Sequence, residues 1–208
     1  VIFMRELLNK RVITADDISN HTNVSIAAGI SHNKSAKQKI IAKDSNTEIA
    51  EQFRILSTNL NFLLPGAGEK IVMTTSSMGD EGKSFIAMNL ASELTLSGKR
   101  VLLMELALRK PRLSPALHID NINGFSDYVV SDMKVKDIIK PTDLPHNLLF
   151  INSGTIPPNP AELLVHDKVQ QLIAEVKDQF DYIIIDLPAV GLVADSLLLS
   201  RYADIVLY

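Results

Sequence analysis

The chain has 208 residues, of which 46% are hydrophobic and 22% charged, and its net charge is −3. This length suffices for one globular core, while the balanced charge lacks the basic excess of a nucleic-acid-binding protein, so we expect no nucleic-acid partner. Cysteine is absent, which excludes thiolate metal sites, and the five histidines are scattered without ligand spacing. No apolar run reaches the ~18–20 residues that span a bilayer.

Two short helices and a linker are predicted near the start of the chain. The sequence 4–10 favours one helix, and Thr14 followed by Asp17 is a capping-box pattern that opens a second helix over 14–20. Residues 23–38 are rich in Ser, Asn and Gly and predict an extended linker with at most one edge strand.

A longer helix follows the linker. Ser45 is its predicted N-cap, because Glu48 stands three residues later as in a capping box. Apolar residues then recur at spacings of three and four, as expected for a helix with one buried face: Ile49, Phe53, Leu56, Leu60 and Leu63.

From residue 70 onward, apolar strands alternate with helices. The predicted strands are 70–75, 100–105, 147–153, 182–186 and 204–208, and the predicted helices are 83–98, 169–180 and 194–203. Strands that are apolar on both faces and alternate with helices are typical of an α/β fold with a mostly parallel β-sheet and helices on both faces. Since the chain starts on Val1 and ends within an apparent strand, we expect it to be a domain of a larger protein.

The loop after the first of these strands has the residues of a phosphate site. Gly82, Lys83 and Ser84 open the following helix, where free N–H groups and the helix dipole favour an anion. Gly82 permits close backbone approach, Lys83 can reach β- and γ-phosphates, and Ser84 can ligate Mg²⁺. The general motif has glycine where Ser77 stands, so we interpret this as a variant loop in a P-loop NTPase-like sheet. The predicted nucleotide-binding residues are Met78, Gly79, Asp80, Glu81, Gly82, Lys83, Ser84 and Phe85.

Two neighbouring strands end on a carboxylate. Asp186 ends the most apolar strand, and because the carboxyl ends of parallel strands gather beside the phosphate loop, we predict that Asp186 and Ser84 hold Mg²⁺. Glu105 ends another apolar strand, where it would lie near the γ-phosphate and accept a proton from an incoming hydroxyl.

Three stretches resemble the Walker A, Walker A′ and Walker B motifs of the bacterial tyrosine kinases (BY-kinases): SSMGDEGKS (76–84), VLLMELALRKP (101–111) and FDYIIIDLPA (180–189). The BY-kinases are the cytoplasmic kinase domains of Wzc-like polysaccharide co-polymerases. The resemblance runs from about residue 45 to 208, which implies a kinase domain there and a juxtamembrane-like segment over residues 1–44. It implies an autophosphorylating, ATP- and Mg²⁺-dependent tyrosine kinase that regulates exopolysaccharide synthesis and export, with ADP as the product.

The resemblance also implies a role for each charged site residue. Lys83 and Asp186 would bind phosphate and metal, Arg109 would lie beside the transferred phosphate, and Glu105 would act as base or metal partner. The family has Asp-x-Asp where this chain has Glu105-Leu106-Ala107, so the loss of a carboxylate at Ala107 is expected to impair phosphotransfer. Whether Ala107 is engineered or natural stays open.

Two alternatives to an active kinase are kept. The first is a nucleotide-binding but catalytically silent regulatory domain, which Ala107 supports. The second is a MinD/ParA-type ATPase, which is less favoured because Met78 stands where that class has a signature lysine.

The resemblance implies an oligomer as well. The family pattern Glu-x-x-Arg-x-x-Arg joins subunits into a ring in which tail tyrosines are phosphorylated in trans. Glu51 and Arg54 match this pattern and are the predicted interface, although Ser57 replaces the second arginine. A mutual Glu51–Arg54 pair on a solvated helix face, worth ~0.3 kcal/mol, is the alternative. The implied location is the cytoplasmic side of an inner membrane, beside the membrane-spanning co-polymerase region of the same protein.

Overall fold

The computed structural model describes residues 12, 14–33, 46–64, 66, 68, 70–144 and 148–208, so the helix predicted over 4–10 lies outside the described residues. Helix α1 (Ala15–Ser19) has the predicted capping box, since Thr14 and Asp17 exchange backbone-to-side-chain hydrogen bonds. Residues 22–33 form neither helix nor strand, in agreement with the predicted linker.

Helix α2 (Glu48–Leu63) begins later than its predicted cap requires. Its N-cap is Thr47, whose hydroxyl accepts a hydrogen bond of 3.2 Å from the Ala50 N–H. The prediction of Ser45 as the cap is therefore wrong. A capping side chain must stand directly before the first helical residue to reach the free N–H groups of the first turn, and here that residue is Thr47.

A six-stranded sheet forms the centre of the molecule, with the strand order β3-β4-β2-β5-β1-β6. All neighbouring strands are parallel except the antiparallel pair β3 and β4, which confirms the predicted mostly parallel sheet. The two-residue β3 was not predicted. The strands are β1 (Lys70–Thr74), β2 (Val101–Glu105), β3 (Lys140–Pro141), β4 (Leu149–Ile151), β5 (Tyr182–Asp186) and β6 (Ile205–Leu207).

Helices cover both faces of this sheet, as predicted. The helices after β1 are α3 (Lys83–Leu96), α4 (Leu113–Ala116), α5 (Phe125–Val130), α6 (Val135–Ile138), α7 (Pro160–Leu164), α8 (Asp167–Lys177) and α9 (Asp195–Leu199), followed by a 3₁₀ turn (Ser200–Tyr202). Helices α2 and α3 bury their apolar side chains on one face, and α5 to α8 on the other. Within the described part of the chain, every helix is too short or too polar to cross a lipid bilayer.

The carboxyl ends of the central strands bring polar residues together. Asp186 at the end of β5 is in register with Thr74 of β1 on one side and with Glu105 of β2 on the other. All three side chains are buried. The loops that follow β1, β2 and β5 therefore meet at one edge of the sheet, where ligands bind in open α/β folds.

Candidate nucleotide site

The loop between β1 and α3 is held by its own polar groups. Glu81 accepts a hydrogen bond of 2.8 Å from the Met78 N–H, and the Ser76 hydroxyl donates to the Met78 carbonyl. Gly82, the N-cap of α3, has a φ of 96°, which favours glycine. Apart from Gly82 itself, its two chain neighbours and the adjacent helix backbone, no described atom lies within 4 Å of the place where a Cβ on Gly82 would stand. The loop thus has open space at the helix start, where an anion is favoured.

Ser77 takes the place of a glycine without strain. The left-handed residues of this loop are Asp80 and Gly82, and Ser77 is not one of them. The close approach here is made instead by Gly191, whose Cβ would lie 2.3 Å from the Ser77 carbonyl oxygen. The Ser77 hydroxyl also contacts the hydroxyl of Tyr208. The backbone conformation therefore explains why this variant of the motif tolerates serine.

Asp186 and Ser84 are brought together at the base of this loop. The Ser84 hydroxyl donates a hydrogen bond of 2.6 Å to Asp186 Oδ2. Asp186 is fully buried, and among the described residues its Oδ1 has no hydrogen-bond partner. Burial, together with the nearby Glu105 charge, raises the pKa of Asp186 to about 7, against the opposing effects of the Ser84 hydrogen bond and the Lys83 charge.

These two residues fit a magnesium ion. A buried carboxylate oxygen without a partner is costly unless a donor or a cation meets it. Across the described ranges, no cluster of three or more His, Asp or Glu side chains forms a metal cage. Mg²⁺ usually takes only one or two protein ligands and completes its shell with water and phosphate oxygens. Ser84 and Asp186 together match that requirement.

Glu105 has a different environment, although it neighbours Asp186. Its Oε1 accepts hydrogen bonds from the N–H groups of Arg112 and Leu113, at 2.6 and 2.5 Å. The Ser114 N–H lies 3.3 Å from both carboxylate oxygens, and the Ser114 hydroxyl donates to Oε2. Glu105 therefore fixes the turn that starts α4.

The two arginines of the loop after β2 contact acidic partners on different loops. Arg109 Nε lies 3.2 Å from Asp195 Oδ2, and Asp195 is almost fully buried at the start of α9. Arg112 Nη2 lies 2.7 Å from Asp80 Oδ1 in the phosphate loop. Arg112 thus contacts the phosphate loop directly, whereas Arg109, which the resemblance places beside the transferred phosphate, contacts Asp195.

The remaining predicted nucleotide-binding residues differ in exposure. Met78, Gly79, Asp80 and Glu81 are exposed, and Lys83 is half-buried at the first position of α3. The Phe85 ring packs edge-on against Phe53 of α2, with 5.7 Å between ring centroids, so its side chain belongs to the contact between α2 and α3.

The predicted interface residues pair with each other. Arg54 Nη1 lies 2.5 Å from Glu51 Oε2 on the outer side of α2. Ser57, which stands where the family has a second arginine, is buried. Burial and the Glu51 charge raise the pKa of Glu93 on the adjacent α3, while the charge of Arg54 lowers it.

Several residues of the site had no recognisable signal in the sequence. Ser114 and Asp195 are single polar residues in short helices, and Arg112 lies 32 positions from its partner Asp80, which was itself among the predicted nucleotide-binding residues. These residues meet their partners because the sheet brings distant loops together. Helical or strand periodicity in the sequence does not indicate such contacts. Only their proximity to the two carboxylate-terminated strands pointed toward this region.

Comparisons with known proteins show the family to which the chain belongs. The AAA_31 family model, described as an AAA domain, matches residues 69–207. The tyrosine-protein kinase wzc of Salmonella typhimurium is 32% identical over 172 residues, which are 82% of this chain and 24% of that protein. The chain spans 24–31% of the length of the first curated relatives it matches.

Solved structures show the same fold. The kinase domain of the Escherichia coli tyrosine kinase ETK has a TM-score of 0.82 and 25% identity, covering 91% of this chain and 78% of that one. MinD from Pyrococcus horikoshii, complexed with Mg-ADP, has a TM-score of 0.56 and 26% identity, covering 66% and 56%. The chain therefore belongs to the AAA_31 family of AAA domains, and its predicted membership of the bacterial tyrosine kinases is confirmed.

Proposed function

We propose that residues 45–208 form a kinase domain that transfers the γ-phosphate of ATP to tyrosine in a Mg²⁺-dependent reaction. The observation that carries this proposal is the pair of Ser84 and Asp186, with an unpartnered, buried carboxylate oxygen next to the open helix start at Gly82. The tyrosine kinase names of the relatives support tyrosine as the acceptor.

Each residue of the site has a proposed role. Lys83 neutralises phosphate charge, and Ser84 and Asp186 hold the metal, which when bound offsets charge on the β- and γ-phosphate oxygens. The resemblance assigns Glu105 as base or metal partner, yet the donors that already contact both its oxygens favour an anchoring role. Arg109 would need to leave Asp195 before it could reach a phosphate.

The two hypotheses, an active kinase and a silent regulatory domain, differ in the effect that they assign to the missing carboxylate at Ala107. Its side chain is buried in the turn between Glu105 and Arg109, so this position faces the protein interior near the site. A carboxylate there would supply the second acid of the family motif. We propose that this chain binds nucleotide and that Ala107 lowers its phosphotransfer rate.

The test is ATP-dependent phosphorylation of a tyrosine-rich tail peptide by this chain and by Ala107→Asp. The Asp variant is expected to transfer phosphate faster, by about a hundredfold or more if the carboxylate acts as other electrostatic groups in active sites do. Lys83→Met in either background is expected to abolish nucleotide binding measured by calorimetry.

The outcomes separate the hypotheses. If neither chain transfers phosphate although both bind Mg-nucleotide, the silent regulatory domain replaces the kinase. If Lys83→Met binds nucleotide as tightly as the unchanged chain, the phosphate-loop assignment is wrong. Thermal unfolding of each variant verifies that the fold survives.

We also propose that the domain lies on the cytoplasmic side of the inner membrane, next to the membrane-spanning region of a polysaccharide co-polymerase, and assembles into a ring through α2. Arg54→Glu is expected to shift the sedimenting species toward monomer, because it reverses a charge on the surface of α2 that is proposed to contact the neighbouring subunit. Lys177→Glu, an exposed change on α8 across the sheet, is the matched control. An oligomer that Arg54→Glu leaves intact excludes this pair from the contact.

A further inference from the structure

The turn after β2 brings a second cation to the phosphate loop. The guanidinium of Arg112 lies 2.7 Å from Asp80 Oδ1, and the two side chains are 46% and 75% exposed. An ion pair this exposed contributes little to stability, so Arg112 can readily exchange Asp80 for a more highly charged partner. Asp80 lies two residues before Gly82, at a left-handed backbone position of the loop. The guanidinium thus contacts the loop that is proposed to hold the phosphates.

The backbone of Arg112 is fixed, although its side chain is exposed. The Arg112 N–H donates to Glu105 Oε1 at 2.6 Å, and the next two residues bind the same buried carboxylate. Glu105 is itself in register with Asp186. The backbone of Arg112 is therefore held at the end of β2, beside the predicted metal ligand Asp186 at the end of β5. Only the Arg112 side chain needs to move.

The site has more acidic than basic side chains, so a second cation near a bound phosphate would be favourable. Asp186 and Glu105 are two buried carboxylates, Asp80 and Glu81 add acids to the loop, and Arg109 is held by Asp195. A triphosphate brings further negative charge. Lys83 supplies a single ammonium group, whereas the planar fork of an arginine matches phosphate oxygens in a bidentate way.

We propose that Arg112 is a second phosphate-binding residue of the nucleotide site, and that it exchanges Asp80 for a terminal phosphate oxygen when nucleotide binds. This inference rests on the proposed function, because it requires a nucleotide at the loop. Asp80 accepts a hydrogen bond from the guanidinium in the structure, so this contact competes with a contact to the nucleotide. Asp80 thereby lowers the affinity, and Arg112 raises it.

A double-mutant cycle tests this exchange. Binding of Mg-ADP and of a Mg-bound nonhydrolysable ATP analogue is measured by calorimetry for the unchanged chain, Arg112→Ala, Asp80→Ala and the double variant. Arg112→Ala is expected to weaken the ATP analogue about tenfold, as expected for the loss of one charge-assisted contact. Asp80→Ala is expected to tighten binding about threefold when Arg112 is present and to have no effect when it is absent.

The controls distinguish this contact from general electrostatics. Lys110→Ala removes an exposed cation from the same turn and is expected to leave both affinities unchanged. Arg112→Lys is expected to recover only part of the affinity, because an ammonium lacks the bidentate geometry. Since Arg112 is exposed, its variants are expected to unfold at the temperature of the unchanged chain, whereas Asp80→Ala is expected to unfold slightly lower because alanine is less favourable at the left-handed backbone position of Asp80.

Each of the following results would overturn the proposal. Equal affinity of Arg112→Ala and the unchanged chain removes Arg112 from the site. An effect of Asp80→Ala that persists without Arg112 shows that Asp80 acts on nucleotide by itself. If Lys83→Met abolishes binding while Arg112→Ala leaves the affinity unchanged, the inference fails and the proposed function stands. If the unchanged chain binds no nucleotide, both fail.

Discussion

Asp186 and Glu105 are both fully buried carboxylates at the ends of adjacent parallel strands, in register with each other. Asp186 receives one hydroxyl donor, from Ser84, and among the described atoms its Oδ1 has no partner. Glu105 receives the N–H groups of Arg112, Leu113 and Ser114 together with the Ser114 hydroxyl. The same functional group in neighbouring positions is thus incompletely satisfied in one case and fully satisfied in the other.

This difference separates a ligand site from an anchor. A buried carboxylate that lacks donors is stabilised by a cation, whereas one with several donors is already stabilised by its own chain. Burial and the Glu105 charge raise the pKa of Asp186 to about 7, so without metal this group holds a proton far more readily than an ordinary aspartate. We therefore expect substitutions of Asp186 to act on ligand binding and substitutions of Glu105 to act on stability.

The largest effect is expected for Asp186→Asn. The amide cannot serve Mg²⁺ as a charged ligand, so affinity for Mg-nucleotide is expected to fall about a hundredfold, or ~2.7 kcal/mol. Calorimetry with and without Mg²⁺ measures this change. Asp181→Asn is the matched control, because Asp181 precedes the same strand at its opposite end and pairs with Arg100. If Asp186→Asn keeps its Mg²⁺-dependent affinity, Asp186 is not the metal ligand.

A pH-dependence of similar size is expected from the same group. An unfolded aspartate titrates near pH 3.9, whereas Asp186 in the fold titrates near 7. Between these values the folded state binds more protons than the unfolded state, so the free energy of unfolding falls as pH rises from about 4 to 7. The expected loss is on the order of a few kcal/mol.

Chemical denaturation at several pH values measures this loss. The comparison with Asp186→Asn isolates it, because Asp127 and Asp181 have lowered pKa values and act in the opposite direction at lower pH. Equal slopes in both proteins would contradict the raised pKa. Mg²⁺ in the presence of nucleotide is expected to restore stability at pH 8 and to release a proton from Asp186 at pH 6.

The sequence predicted the Asp186 half of this comparison much better than the Glu105 half. The strand, the Gly82-Lys83-Ser84 helix start and the acid after the apolar strand are local patterns, and parallel strands necessarily bring their ends together. The predicted proximity of Ser84 and Asp186 follows from those patterns alone, and the structure has them hydrogen-bonded. The fold class followed from the same alternation of strands and helices.

The contacts of the region after β2 were less predictable, because they are made by long side chains to residues that are distant in the sequence. Helices α4 to α6 are only four to six residues long and carry no resolvable period. Arg109 finds Asp195 across 86 positions, and no local pattern indicates such a pair. The wrong N-cap of α2 has a related cause: Ser45 and Thr47 both offer hydroxyls, and only the backbone at the helix start decides between them.

The smallest effects are expected for substitutions of Glu105 and of its hydrogen-bond donor Ser114, and the Glu105 substitution is expected to have the larger effect of the two. Glu105→Gln replaces a carboxylate that accepts from four groups by an amide with one acceptor oxygen, so a loss of about 1–3 kcal/mol in the free energy of unfolding is expected. Ser114→Ala removes a single hydroxyl donor and is expected to lower it by about 1 kcal/mol. Denaturant unfolding measures both.

The double variant Glu105→Gln, Ser114→Ala completes the comparison. Since Ser114 stabilises the fold partly through Glu105, the combined loss is expected to be smaller than the sum of the single losses. Additive losses would mean that the two residues act separately. If Glu105→Gln instead leaves stability unchanged but removes Mg²⁺-dependent binding, Glu105 is a site carboxylate like Asp186, and the hydrogen bonds to the turn are incidental to its role.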